Sequence, residues 1–374
     1  MPTALDTQQR TCGPCACGCS PALLWWQALD TQRSGRLDEA ALETLVQQRV
    51  AAVPRLASQP HLQPGHSFFP FYVAHCTRKL LLLLDPRRRG SVRAAARHAA
   101  APCTQVAAPR VRGAAPVSCA QAATHPTPQV PLLDVLLSAE MDELSAYTRH
   151  APLSRAAEEA NWFTLPSAVR IYRQFLQLDT DHDGMLTPDE LGRFDEEQHS
   201  LTPAFCNRLF EVVHTYEGRL DYKGYLDLVV SLQALRPASA VPPAEAALRY
   251  FWRVLNLHDA PSLGSGELSY FVRDVVARLL EAGEEPTCAQ NVLDEIVDLA
   301  KCVPRTGASP GAAPPRKGEP GRVSLRELLT CGAGGVIVSM LVDVQACVHG
   351  MRAWHVCMAC VHGMCAWHVC MACV

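Results

Sequence analysis

Asp179-Thr180-Asp181-His182-Asp183-Gly184-Met185-Leu186-Thr187-Pro188-Asp189-Glu190 decides how the rest of the chain is read. Calcium is a hard cation that takes about seven oxygens, and a twelve-residue loop can supply them in a fixed order. Asp179, Asp181 and Asp183 place carboxylates at loop positions 1, 3 and 5. Gly184 at position 6 permits the sharp turn, which needs backbone angles that side chains disfavour. Met185 at position 7 offers its carbonyl oxygen, so its side chain is irrelevant to ligation. Thr187 at position 9 can ligate directly or through water. Glu190 at position 12 closes the set with both carboxylate oxygens. The sequence thus predicts a calcium-competent EF-hand with Asp179, Asp181, Asp183, Met185 and Glu190 as ligands.

The flanks agree with that reading. Leu186 at position 8 supplies an apolar residue to dock the loop on a partner. Thr187 can cap an exit helix whose first turn starts with Pro188, and Asp189 and Glu190 suit the positive end of that helix. An amphipathic helix is expected to enter from near Pro166 to Leu178, with Val169, Tyr172 and Leu176 on one face. After the loop, Thr202-Pro203 predicts a cap and first turn for a helix with Phe205, Leu209, Val212, Val213 and Tyr216 in its stripe. Tyr225, Leu228, Val229 and Leu232 form another stripe, as do Leu248, Phe251, Trp252 and Leu255. Strand signals are short and few, so the fold is expected to be all-α, built of tandem helix-loop-helix units.

The other units lack chelating acids. Tyr216 to Asp221 puts Gly218 and Leu220 at positions 6 and 8, but Gly224 stands at position 12, so a metal-free structural partner is expected. Asn256 to Glu267 keeps Leu263 at 8 and Glu267 at 12. It has His258 at 3, Ala260 at 5 and Pro261 at 6, which argues against calcium. Upstream, Asp30, Ser34, Gly35 and Leu37 match positions 1, 5, 6 and 8, with Ala41 at 12. Asp85, Gly90 and Val92 match 1, 6 and 8, around the repelling Arg87, Arg88 and Arg89.

Between Asp179 and Glu197 lie eight acids and one arginine, against seven arginines and one acid from Asp85 to Arg112. Over the whole 374 residues the net charge is only −3, which carries no nucleic-acid or membrane footprint. Met1-Pro2-Thr3-Ala4-Leu5-Asp6 is no basic leader with an apolar run after it, and no apolar span reaches 18 residues. The expectation is a soluble intracellular protein with its 17 cysteines mostly reduced.

Composition divides the chain. Residues 1–20 are an unmatched extension and 21–93 a degenerate EF-hand-like helical domain. Residues 94–131 are a Pro/Ala/Arg-rich low-complexity insertion. Residues 132–304 are the EF-hand domain, with the live hand at about 166–200, its partner at about 203–235 and a degenerate hand at about 244–280. A Pro/Gly linker at 305–321, a C-terminal segment at 322–346 and a tail at 347–374 follow. The tail repeats itself: CVHGMRAWHVCMA from Cys347 is followed by CVHGMCAWHVCMA from Cys360, which reads as translated repetitive DNA.

Enzyme signatures do not survive their context. Cys12-Gly13-Pro14-Cys15 spells a redox motif without the strand and helix that lower a thiol pKa. Gly307-Ala308-Ser309-Pro310-Gly311 spells a nucleophile elbow inside the Pro/Gly linker. The tail's His355, Cys357, Cys360 and Cys365 are better explained by repetition than by soft-metal binding. Leu80 to Leu84 is too short to span a bilayer and reads as a buried helix face. No Walker A or zincin motif is present, so a non-enzyme is expected.

Several segments together resemble one family: Phe71-Tyr72-Val73 with Arg78-Lys79 and Leu84-Asp85-Pro86; Asn161-Trp162-Phe163 through Pro166-Ser167-Ala168; Gly184-Met185-Leu186; Leu220-Asp221-Tyr222-Lys223 with Tyr225-Leu226-Asp227; Leu268-Ser269-Tyr270-Phe271; and Ile337 to Asp343. In this order they resemble the B-double-prime regulatory subunits of protein phosphatase 2A, the gamma form most closely. The likeness covers roughly Leu24 to Arg93 and Leu132 to Val344. It implies a calcium-responsive, non-catalytic subunit that binds the phosphatase scaffold and catalytic subunits and governs selection or targeting of phosphoserine and phosphothreonine substrates. It also implies residence in cytoplasm and nucleus, and calcium on Asp179, Asp181, Asp183, Met185 and Glu190. Met1 to Ser20, Ala94 to Pro131 and everything after Gln345 depart from the family pattern. A reading from another class is a free-standing EF-hand calcium sensor or adaptor with a different partner.

Overall fold

The computed structural model describes residues 35–84, 129–131, 135, 138, 140, 141, 143, 144, 154–196, 199–235, 245–281, 288–301 and 321–344. Outside these lie the Cys12–Cys15 motif, Asp30 and Ser34 of the upstream hand, the Asp85 to Val92 loop, most of the 94–131 insertion, the Gly307 to Gly311 motif and the repeat tail. The chain forms two compact units, the first from residues up to 69 with 88–142, the second from 70–87 and 143 onward.

In the first unit, strand β1 (Arg36–Asp38) leads into helix α1 (Glu39–Ala52), followed by α2 (Pro54–Ala57) and a 3-10 turn (Pro60–Leu62). Asp38 starts α1 by accepting the Ala41 N–H at 2.9 Å, and Leu42, Leu45, Val46 and Val50 make its buried stripe. β1 pairs antiparallel with β2 (Gln129–Pro131), the last three residues of the segment read as an insertion, with Leu37 opposite Val130.

The second unit holds α3 (Phe69–Leu84) from Pro70 on, then α4 (Arg155–Ala160), α5 (Leu165–Leu178), β3 (Met185–Leu186) and α6 (Pro188–Leu191). A short hairpin, β4 (Asp195–Glu196) with β5 (His199–Ser200), leads to α7 (Pro203–Val212), β6 (Leu220–Asp221) and α8 (Tyr222–Leu235). Then come α9 (Glu245–Leu255), β7 (Ser262–Leu263), α10 (Ser265–Glu281), α11 (Ala289–Lys301), β8 (Val323–Ser324), α12 (Leu325–Thr330) and α13 (Gly334–Val342). The fold is all-α and EF-hand-like, with strands only as short antiparallel pairs. Among the described residues no helix is long and apolar enough to cross a membrane.

Three of these pairs obey one rule. Leu37 faces Val130, Leu186 faces Leu220, and Leu263 faces Val323, and all six are at most 2 % exposed. A loop residue at position 8 presents its side chain inward from a ribbon only two or three residues long. Two such side chains back to back remove both from water, worth about 1.5–3 kcal/mol each. This is why the loops pair.

The third ribbon shows a hand that the sequence reading passes over. With Val323 at position 8, Gly321 falls at 6 and Glu327 at 12, and Gly321 has the positive φ of 72° that Gly184 (82°) and Gly218 (78°) share. The Pro/Gly stretch therefore runs into a fourth helix-loop-helix, entered by α11 and left by α12. Its first positions, Arg316, Gly318 and Pro320, carry no acid and lie outside the described residues.

The helical stripes need one correction. On α5 the buried residues are Ala168, Ile171, Phe175 and Leu178, and Leu176 is 42 % exposed. Two apolar stripes run one residue apart on this helix, and the bulkier Ile171-Phe175-Leu178 set takes the core. The α7 stripe holds for Phe205 and Leu209 but stops at Val213, which caps the helix in extended conformation, so Tyr216 lies in a turn, exposed. Thr202 caps α7 by accepting the Phe205 N–H at 3.3 Å. The stripes of α8 and α9 are buried as expected, as are Leu80, Leu81 and Leu82.

Asn161-Trp162-Phe163 fastens α3 into the second unit. Tyr72 donates to the Phe163 carbonyl at 2.6 Å, and His75 Nε2 and Trp162 Nε1 donate to each other's backbone carbonyls at 2.9 Å. The His75 and Trp162 rings stack with centroids 4.1 Å apart. Burial, with Lys79 and Arg170 behind it, outweighs the Trp162 bond and pulls the His75 pKa down to about 3, so the ring is neutral at ordinary pH. Arg78 grips both oxygens of Asp227 on α8, with Nε at 2.8 Å from Oδ1.

Candidate metal centre

The loop between α5 and α6 folds around its own backbone N–H groups. Asp179, the C-cap of α5, is 2 % exposed; its Oδ1 accepts from Asp183 N at 3.1 Å and its Oδ2 from Gly184 N at 3.0 Å. Asp181 Oδ1 also accepts from Asp183 N, at 3.2 Å, and Asp183 Oδ1 accepts from Met185 N at 2.8 Å. His182 at position 4 takes a left-handed φ of 58°, followed by Gly184 at 82°, which curls the segment so that the carboxylates face one point. One oxygen from each of Asp179, Asp181 and Asp183 lies within 4.8 Å of the others. This is the cluster of acids among the described residues able to hold a metal.

Glu190 is not part of that group. Its Oε1 accepts Thr180 N at 2.8 Å and Thr180 Oγ1 at 2.7 Å, and its Oε2 accepts Thr187 N at 3.0 Å and Thr187 Oγ1 at 2.9 Å. Burial alone would push its carboxyl up, but these four donors prevail and hold it at about 2. Thr187 returns the bond by accepting Glu190 N at 3.3 Å, a capping box that starts α6. Met185 stands in β3 opposite Asp221, in the place from which its carbonyl would ligate.

Glu267 and Glu327 do the same work in loops without a carboxylate cage. Glu267 accepts Leu257 N at 3.0 Å and Gly264 N at 2.9 Å, tying positions 2 and 9 as Glu190 does. Glu327 accepts Ser324 N at 2.8 Å in a second capping box. In the third loop Asn256 substitutes for the first aspartate, bonding Ala260 through both its amide nitrogen and its oxygen at 2.8 and 2.9 Å. In the fourth, Lys301 Nζ reaches Glu327 Oε1 at 2.6 Å and the position-7 carbonyl of Arg322 at 2.7 Å. An ammonium thus bridges two oxygens that an EF-hand would offer to its ion. Sequence reasoning misses Lys301 because it lies outside the loop, and misses Glu327 because only the short Gly321-x-Val323-Ser324-x-x-Glu327 run marks it.

The partner loop of the first pair is a tight turn, not a chelating loop. Glu217 and Gly218 take φ of 53° and 78°, and Tyr216 and Arg219 exchange backbone bonds of 2.8 and 3.0 Å. A Cβ on Gly224, at position 12, would lie 2.3 Å from Leu220 Cδ1. Leu220 is the fully buried ribbon residue, so it fills the room that a position-12 side chain needs.

The donor set fits a hard divalent cation: carboxylates without nitrogen or sulfur, converging at a glycine turn. Paired loops, position-8 ribbons and that cluster define an EF-hand-like protein with one aspartate-lined loop among its described residues. The chain is similar in sequence to regulatory subunits of protein phosphatase 2A. The chain is 29% identical over 315 residues to the B'' subunit gamma of Danio rerio, a match covering 84% of this chain and 54% of that protein. The Homo sapiens B'' subunit gamma matches with the same identity and coverage. The Arabidopsis thaliana B'' subunit TON2 is 29% identical over 221 residues, covering 56% of this chain. The chain spans about half the length of the gamma relatives, 54%. No family model matches the chain. A solved PP2A PR70 holoenzyme chain, described as diCa, shares the fold, with a TM-score of 0.58, 17% identity, and coverage of 88% of this chain and 98% of that one.

Proposed function

We propose that this chain is a calcium-binding, non-catalytic regulatory subunit that assembles with the scaffold and catalytic subunits of phosphatase 2A and controls substrate selection or targeting. The observation that carries the proposal is the three-aspartate cluster within 4.8 Å, set in a chain similar to B'' subunits over 84% of its length. Asp179, Asp181, Asp183, the Met185 carbonyl and Glu190 would hold the ion. Bound calcium supplies a fixed double positive charge at the turn. The chain's own part is to hold three carboxylates together by backbone N–H bonds and to link the loop to its partner through Leu186 and Leu220. Glu190 would have to exchange its threonine donors for the ion, which couples the exit helix α6 to occupancy.

Affinity capture of the full chain, run in calcium and in chelator with mass spectrometry, tests this reading. Recovery of the phosphatase scaffold and catalytic subunits is the expected result. Their absence in both conditions overturns it. Calcium-dependent capture of an unrelated target without them would favour the free-standing sensor.

A further inference from the structure

We infer that Arg219, in the partner loop, is a tethered competitor for calcium at Asp183 and sets the affinity of the loop. The inference rests on the calcium reading above. Asp183 has two oxygens. Oδ1 already accepts the Met185 N–H at 2.8 Å, which leaves Oδ2 the less committed of the two toward an ion. Arg219 NH1 is bonded to that Oδ2.

The tether is short and stiff. Arg219 ends the two-residue turn closed by Tyr216, and the next residues, Leu220 and Asp221, are pinned opposite Leu186 and Met185. The base of its side chain is therefore held close to Asp183, so a released guanidinium returns at a high effective concentration. Three converging aspartates repel one another without a cation, and Arg219 relieves part of that repulsion. The contact is also breakable. Arg219 is 39 % and Asp183 26 % exposed, so the side chain has solvent to swing into and the pair is a weak, screened one. Calcium entry displaces the guanidinium; the cost of displacement appears as lower affinity.

Lys301 on Glu327 shows the same device where no aspartate cage exists, and the His258 ring lies 3.3 Å from Glu267. In those loops the nitrogen sits on the position-12 acid. Among the described residues, Arg219 is the side-chain cation bonded to one of the three aspartates.

Calcium titration calorimetry on the full chain tests the inference, with Arg219→Gln compared to Arg193→Gln. Arg193 is exposed three residues beyond Glu190 and reports the general effect of removing a positive charge nearby. The expected result is a tightening of about threefold to tenfold for Arg219→Gln, clearly larger than for Arg193→Gln. Equal affinities for the two variants, or no change from the parent, overturn Arg219 as competitor while leaving the calcium loop intact. Heat only in Arg219→Gln would support it in its strongest form. No heat in the parent or in either variant sinks the calcium reading itself, and this inference with it.

Discussion

The loops Asp179–Glu190 and Asn256–Glu267 have nearly the same skeleton and different contents. Both carry a left-handed residue at position 4, His182 (φ 58°) and Asp259 (φ 51°). Both bury a leucine at position 8 in a ribbon and use a position-12 glutamate to tie positions 2 and 9. They differ at positions 3 and 5, where Asp181 and Asp183 stand against His258 and Ala260, at position 1, where Asp179 stands against Asn256, and at position 6, where Gly184 with its φ of 82° stands against Pro261. The loop shape therefore does not depend on the ligands. A loop can lack the aspartates and keep its fold, because the glutamate works as a hydrogen-bonded latch.

Several experiments would break or sharpen that contrast. The largest effect is expected from Glu190→Gln, which should weaken calcium binding by about a hundredfold in calorimetry by removing a charged ligand. Glu267→Gln should leave calcium binding unchanged and lower the unfolding free energy by about 1–2 kcal/mol equally in calcium and chelator. If both variants lost calcium alike, the two loops would not differ as described.

Acid should expose the latch next. The Glu190 carboxyl is lowered from 4.5 to about 2, so its stabilisation is complete above about 4.5 and is lost as pH falls toward 2. In chelator, urea unfolding between pH 5 and pH 3 should show a loss smaller in Glu190→Gln than in the parent by on the order of 2 kcal/mol. His75 acts in the same direction over a higher window. Its pKa is lowered from 6.5 to about 3, so stability declines as pH drops below 6.5, and a Glu190→Gln/His75→Gln protein separates the two.

A graft tests the converse. His258→Asp with Ala260→Asp and Pro261→Gly should give the third loop a second, millimolar calcium heat, since the latch and ribbon already exist. The smallest effect is expected for Lys301→Met. Its pair with Glu327 is partly exposed, so a loss of about 1 kcal/mol, identical with and without calcium, is what melting should show.

The aspartate loop, its Thr187 cap and the Thr202-Pro203 helix start could be read directly, because each rests on residues within a few positions of one another. What escaped was nonlocal or masked by composition. The pairing of Leu37 with Val130 joins segments that share no local signal, and the second ends a stretch whose alanines and prolines read as unstructured. The fourth hand hides behind Pro314, Pro315 and Pro320, and its cation comes from another helix. The stripe on α5 was misphased because two apolar faces compete on one helix, and only the neighbours decide between them. Segments that mark the family likeness, Asn161-Trp162-Phe163 and Tyr225-Leu226-Asp227, turn out to be interior fasteners for α3 and its neighbours.

Gly224 has a consequence for inheritance. With Leu220 Cδ1 lying 2.3 Å from where a side chain would begin, an acid placed there by one codon change requires the buried Leu220 side chain to turn aside. Positions 1, 3 and 5 of this loop, Val213, Thr215 and Glu217, offer a single carboxylate, so a second chelating loop takes several substitutions as well as movement of Leu220. Under the proposed calcium reading, a pair with one aspartate loop would act as a dial, spreading its titration over roughly two decades of concentration without cooperativity.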